Sequence, residues 1–230
     1  MFEPFDSDAV SLKYAQKHGL KQEDVLSEWD KKGKISSTTG TIIHKYLEDY
    51  ARGKVFDIDY SLAEKYNILD EVKERVSQIL PQAKRFHDET LNKLIPIQCE
   101  YTVGIDDVIA GNIDLLCWNM KAGEFQIWDY KNLKEMTTYS KYKKYGLKEF
   151  SNVPDCHLTH YSIQQNLYKI MLERKLGIKI GNCYLVHFSH LKDDFDVYEC
   201  MDLTQQCNKA LDRLILESKT NDNGINNTTN

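Results

Sequence analysis

Ile127-Trp128-Asp129-Tyr130-Lys131 reads as the end of a β-strand, where residues two apart face the same side, so Asp129 and Lys131 point together into one site. A carboxylate beside an ammonium is a working pair for phosphodiester hydrolysis. The carboxylate holds a metal ion, and the lysine orients or deprotonates the attacking water and offsets phosphate charge. Taken alone, the tripeptide is equally an exposed ion pair. Gly111-Asn112-Ile113-Asp114 lies upstream and runs into the apolar Leu115 to Trp118. A lone carboxylate inside an apolar strand is costly, so Asp114 requires a cation or strong donor opposite it; backbone groups or Lys131 are the structural alternative. Gly111 leaves room for close approach by a backbone or substrate. Glu100, after Cys99, is a third candidate acid.

Two helical stretches add further candidates. His44 follows Gly40-Thr41-Ile42-Ile43, and Glu48 lies one turn later on the same face, so the two could share a site or simply pair with each other. Gln164 and Tyr168 are also four apart, with His160 one turn earlier. A Gln and a Tyr hydroxyl on one face can hydrogen-bond a phosphate or a base edge, and a boundary Tyr with a solvated Gln is the ordinary alternative. Between these stretches, Lys131 to Lys148 collects Lys131, Lys134, Lys141, Lys143, Lys144 and Lys148 against Glu135 alone, with Tyr130, Tyr139, Tyr142 and Tyr145 interleaved. Its position directly after the Asp-x-Lys motif favours nucleic-acid contact over a merely solvated loop.

The elements that must position these residues follow from periodicity. The first ninety or so residues read as helical: Ser7 or Asp8 caps a helix through Gly19, Gln22 to Lys32 forms a second that stops at Gly33, Gly40 to Arg52 a third, and Ser61 to Leu91 a fourth interrupted at Pro81. After Pro96 the period changes. Ile97 to Val103, Val108 to Trp118 and Glu124 to Asp129 are β-rich runs separated by turn chemistry, predicting an antiparallel meander. A helix over Pro154 to Leu176 ends at Gly177; strands over Ile178 to Ser189 and Asp196 to Met201 and a helix over Thr204 to Ser218 follow. The order predicts an α/β or α+β fold with a mixed sheet, one domain over residues 1–218 with its helical part at about 1–92, and a disordered polar tail over 219–230. The chain has 230 residues, 41% apolar and 28% charged, with net charge -5, so nucleic-acid contact must be local. Six scattered cysteines predict neither a disulfide framework nor a zinc ribbon, and no apolar run is long enough to cross a bilayer. A soluble, intracellular protein is expected.

In this combination and order, the elements resemble the RecB-like, lambda-exonuclease-like branch of the PD-(D/E)xK nuclease superfamily. That branch has a Gly-x-x-His helix, an acidic strand residue, a Gly-x-x-Asp strand, an Asp/Glu-x-Lys strand end and a Gln-x-x-x-Tyr helix. Here they are Gly40 to His44 with one extra residue, Glu100, Gly111 to Asp114, Asp129 to Lys131, and Gln164 to Tyr168. The resemblance implies a restriction-endonuclease-like core. It makes Asp114 and Asp129 metal ligands with His44 completing the set, Lys131 the catalytic lysine, and Gln164 with Tyr168 positioners of DNA. Mg²⁺ or Mn²⁺ is the implied cofactor, the imidazole favouring Mn²⁺. Relatives that hold a [4Fe-4S] cluster use a Cys before the His motif and three near the C-terminus; this chain has none before Cys99, so no cluster is expected. The implied activity is a deoxyribonuclease, an exonuclease acting on free DNA ends in replication, recombination or repair. The alternative is a silent nuclease fold that binds DNA or a partner; retention of both carboxylates and Lys131 argues for catalysis.

Overall fold

A computed structural model describes the backbone of residues 1–225. Helix α1 (Ser7–His18) is capped by Asp6, whose carboxylate accepts from Ala9 N, rather than by Ser7 or Asp8, and it ends at a left-handed Gly19. Helix α2 (Gln22–Ala51) is a single element of 30 residues, where the sequence predicted two helices with a break at Gly33. A glycine costs a helix interior only about 1 kcal/mol. Val25, Ile35, Ile42, Ile43, Tyr46 and Leu47 bury a stripe along most of α2's length, which outweighs that cost. The expected helix over Ser61 to Leu91 is instead two, α3 (Ser61–Lys65) and α4 (Leu69–Glu89), divided at a left-handed Asn67. Pro81 does not interrupt α4, because Val76, Ile79, Ala83 and Phe86 pin both sides of it into the core.

The five-stranded sheet runs in chain order: β1 (Ile95–Ile105), β2 (Ile109–Asn119), β3 (Glu124–Asn132), β4 (Ile180–Phe188) and β5 (Asp196–Glu199). The first three form the expected antiparallel meander. β4 then pairs parallel to β3 after the crossover helix α5 (His157–Leu176), and β5 closes the edge antiparallel. Helix α6 (Thr204–Ile225) carries residues 219–225 of the expected tail, and the rest of that tail lies outside the described residues.

The sheet divides two hydrophobic layers. Ile127, Ile163, Leu167, Met171 and Leu211 pack between the sheet and α5 and α6. On the other face Ile43, Leu47, Phe86, Trp128 and Tyr130 pack against α2 and α4. β3 alternates cleanly between them, so Asp129 and Lys131 share the α5 side with Ile127. The β1–β2 ribbon behaves differently. Cys99 packs on the α2 side, whereas Tyr101 and Val103, which simple alternation would place beside it, pack on the α5 side. On β2, Leu115 and Cys117 face α2 while Ile113 faces α5. Both strands thus change faces at one level, where Glu100 adopts a left-handed backbone with φ 51° and Asp114 lies opposite, between the paired positions Cys99–Leu115 and Tyr101–Ile113. The two acids sit where the ribbon turns over, which leaves them outside both apolar layers.

Candidate active site

Three elements converge on this crossing point. Helix α2 supplies His44, the turnover of the ribbon supplies Glu100 and Asp114, and β3 supplies Asp129 and Lys131. One potential ligand atom each from His44, Glu100 and Asp114 lies within 4.8 Å of the others. His44 and Glu100 border a cleft of about 480 Å³ that is also lined by Gly40, Thr41, Lys45 and Glu48.

The main chain of Tyr130 sets the orientation of two members. Its N–H donates to Asp114 Oδ2 at 2.7 Å, and its carbonyl lies 2.9 Å from His44 Nε2. A carbonyl only accepts, so Nε2 carries the imidazole proton and Nδ1 presents a lone pair, 3.5 Å from Asp114 Oδ2. Burial also holds the imidazole below its usual pKa, which keeps it in the neutral form that a metal requires. Burial, with the Asp129 charge adding to it, pushes the Asp114 carboxyl well above the ordinary carboxylate range.

Asp129 is 2% exposed. Gln165 donates to its Oδ1 at 2.8 Å, and the Lys131 ammonium lies 2.6 Å from Oδ2. The ammonium is the close partner of this buried oxygen among the described residues. This oxygen, the free His44 Nδ1 and an all-oxygen-and-imidazole donor set fit a hard divalent cation such as Mg²⁺ or Mn²⁺. Lys131 itself is held three ways: by Asp129, by Gln164 Oε1 at 3.3 Å, and by the face of Tyr161, whose ring centroid lies 4.6 Å from Nζ. Net burial would lower the Lys131 pKa, but the Asp129 charge and contact outweigh it, and the ammonium stays protonated.

The remaining sequence candidates divide. Gln164 reaches the site, donating to the Tyr168 hydroxyl at 2.9 Å while accepting from Lys131. Tyr168 is buried, and its ring lies across Gly111: a Cβ there would come 2.3 Å from the Tyr168 hydroxyl oxygen. The close approach that Gly111 permits is therefore by Tyr168. Glu48 pairs with Arg52 and Lys45 and not with His44. Lys134, Lys141, Lys143 and Lys144 are all exposed on the connection from β3 to α5, with Lys141 paired to Glu135 and Lys144 to Glu3. Tyr139, Tyr142 and Tyr145 are exposed beside them. Sequence reasoning overlooked Gln165, Tyr161 and the Tyr130 main chain. Gln165 falls about 100° further round the helix than Gln164, and nothing in the sequence says which of the two amides meets Asp129. The backbone role of Tyr130 has no signal in the sequence either.

A family model described as the PD-(D/E)XK nuclease superfamily matches residues 11–220. Among solved structures, one from Eubacterium rectale, named “Putative exonuclease”, is 15% identical with a TM-score of 0.49, covering 81% of this chain and 68% of that chain. The structure of SSO0001 is 13% identical with a TM-score of 0.32, covering 85% and 86% of the two chains. No curated protein matches the sequence.

Proposed function

The chain belongs to the PD-(D/E)XK nuclease superfamily, and from that premise we propose that it is a divalent-metal-dependent deoxyribonuclease, acting as an exonuclease on free DNA ends in replication, recombination or repair. The observation that carries the reading is the convergence of His44, Glu100 and Asp114 within 4.8 Å, with the Asp129–Lys131 pair beside them. A cation bound there supplies Lewis-acid stabilisation of phosphoryl charge and a more acidic water. In this reading Asp114, Asp129 and His44 hold the metal, and Glu100 lies within reach of the same group. Lys131, pinned by Asp129, Gln164 and Tyr161, orients the attacking water and offsets developing negative charge. Asp129 keeps that ammonium charged, so it acts as a donor and electrostatic stabiliser rather than a general base. The exposed lysines and tyrosines of the β3–α5 connection grip DNA through phosphates and unpaired bases. Residues 1–218 act as one nuclease domain.

The test is incubation of end-labelled linear DNA and covalently closed circular DNA with Mg²⁺ or Mn²⁺. Degradation of linear DNA alone supports an exonuclease. Nicking of circles would make it an endonuclease, and inertness with every substrate would favour a binding module.

A further inference from the structure

Beside the catalytic cleft, on the other flank of α2, lies a second, more enclosed cavity of about 390 Å³. The two share Thr41 and Lys45, which bracket His44 along the helix. The size suits a small-molecule subsite. Its wall chemistry is selective. Ile42, Phe56 and Leu62 make an apolar surface, and Phe56 is fixed edge-on against Tyr46 with ring centroids 5.0 Å apart. Asp57 and Asp59 add carboxylates to the rim. Asp59 is committed, accepting from Ser61 N at 2.8 Å, whereas Asp57 makes no hydrogen bond or ion pair with the described residues. Thr38, a further lining residue, is 1% exposed and its hydroxyl has no partner among the described residues.

We propose that this cavity is a nucleobase subsite: it receives one unpaired base of the substrate strand while the adjoining phosphate lies in the cleft by Lys45 and His44. The inference rests on the nuclease reading above and names what that site recognises. Apolar walls suit a base rather than a phosphate, so the part of a nucleotide that fits here is the base. An aromatic face with apolar walls stacks it, and a free carboxylate accepts from an exocyclic amino group. Adenine, cytosine and guanine carry such an amine; thymine does not. Lys45 lines both cavity and cleft, its ammonium held by Asp49 at 2.6 Å and Glu48 at 3.4 Å, and the sugar–phosphate linkage would pass beside it.

The test measures binding of labelled homopolymeric single strands of dA, dC and dT by fluorescence anisotropy in EDTA, so that no turnover enters the readout. Steady-state cleavage with Mn²⁺ is run in parallel. Wild-type protein should bind dC and dA more tightly than dT. Phe56→Ala should weaken binding by about 10-fold and raise KM with kcat unchanged. Asp57→Asn, at an exposed position, should narrow the gap between dC and dT. Phe56→Leu keeps apolar packing without the π-face and guards against a folding defect; it should bind as weakly as Phe56→Ala while losing only the few degrees of Tm that the aromatic pair with Tyr46 contributes. Equal affinities and base preference in wild type, Phe56→Leu and Asp57→Asn, with wild-type cleavage intact, would overturn the subsite alone. Wild-type protein that neither binds nor cuts any DNA would overturn the nuclease reading and the subsite with it.

Discussion

Gly111→Ala tests how the second layer of the site is built. The added Cβ would come 2.3 Å from the Tyr168 hydroxyl, 2.4 Å from Cε1 and 2.5 Å from Cζ, all well inside contact distance. Tyr168 is 8% exposed and packed among Ile163, Leu167 and Leu172, so its ring cannot swing clear without moving α5 or β2. Overpacking of this kind costs about 1 to 3 kcal/mol, and losing the Gln164–Tyr168 hydrogen bond adds about 0.5 to 1.5 kcal/mol. Against this, Ala in place of Gly narrows the unfolded ensemble by about 0.4 to 1 kcal/mol. The net is a destabilisation of about 2 kcal/mol, which for a chain of this size lowers Tm by about 4 to 8 °C. Displacing Tyr168 also frees Gln164, one of the three holds on Lys131, so cleavage should slow more than DNA affinity falls. The assay is a double-mutant cycle with Tyr168→Ala, followed by thermal melting and single-turnover cleavage. If the reasoning holds, Gly111→Ala is nearly neutral once the ring has gone. An equal Tm loss from Gly111→Ala in both backgrounds would refute it.

Asp114→Asn and Asp129→Asn should each abolish cleavage and weaken Mn²⁺ binding in calorimetric titration; unchanged affinity and cutting would remove both from the site. Lys131→Met should slow single-turnover cleavage by about 10²-fold or more. By stranding the buried Asp129 charge, it should also cost about 3 to 5 kcal/mol in EDTA, partly recovered on adding Mn²⁺; a variant that cuts at the wild-type rate when folded would make the lysine structural. The raised Asp114 carboxyl stabilises the metal-free fold in its protonated form. That contribution is complete below the unfolded-state carboxylate range and disappears as pH rises through the higher folded-state value. Melting in EDTA should therefore show a loss of stability with rising pH in wild type that is absent in Asp114→Asn. Alanine at Lys141, Lys143 and Lys144 should weaken DNA binding and flatten its salt dependence. The slope should change by less than three phosphate contacts, because Glu135 and Glu3 already compete for two of the ammoniums.

The sequence carried the meander, the crossover helix up to Gly177, and the shared face of Asp129 and Lys131, because each is a matter of periodicity or of a single glycine. It misread α2, whose Gly33 and Gly40 are tolerated through burial that only the neighbouring helix and sheet provide. The change of face at Glu100 and Asp114 was invisible for a related reason. Alternation tells which residues share a side, and nothing in Cys99-Glu100-Tyr101 announces a left-handed residue. Gln165 and Gln164 were indistinguishable as letters. The fold separates them, one sealed onto Asp129 and the other held between Lys131 and the Tyr168 hydroxyl.

Because the donor to Asp114 and the acceptor from His44 both belong to the peptide backbone at residue 130, the alignment of those two side chains is immune to ordinary side-chain exchange there. A saturation screen would register position 130 as an apolar packing site, since the Tyr130 ring lies among Phe86 and Phe188 on the opposite face. Proline would be the informative exception, as it deletes the N–H that Asp114 accepts from. Any residue that fills the same space in that layer would keep the backbone template beneath it, so the identity of the side chain at 130 does not disclose what the position does.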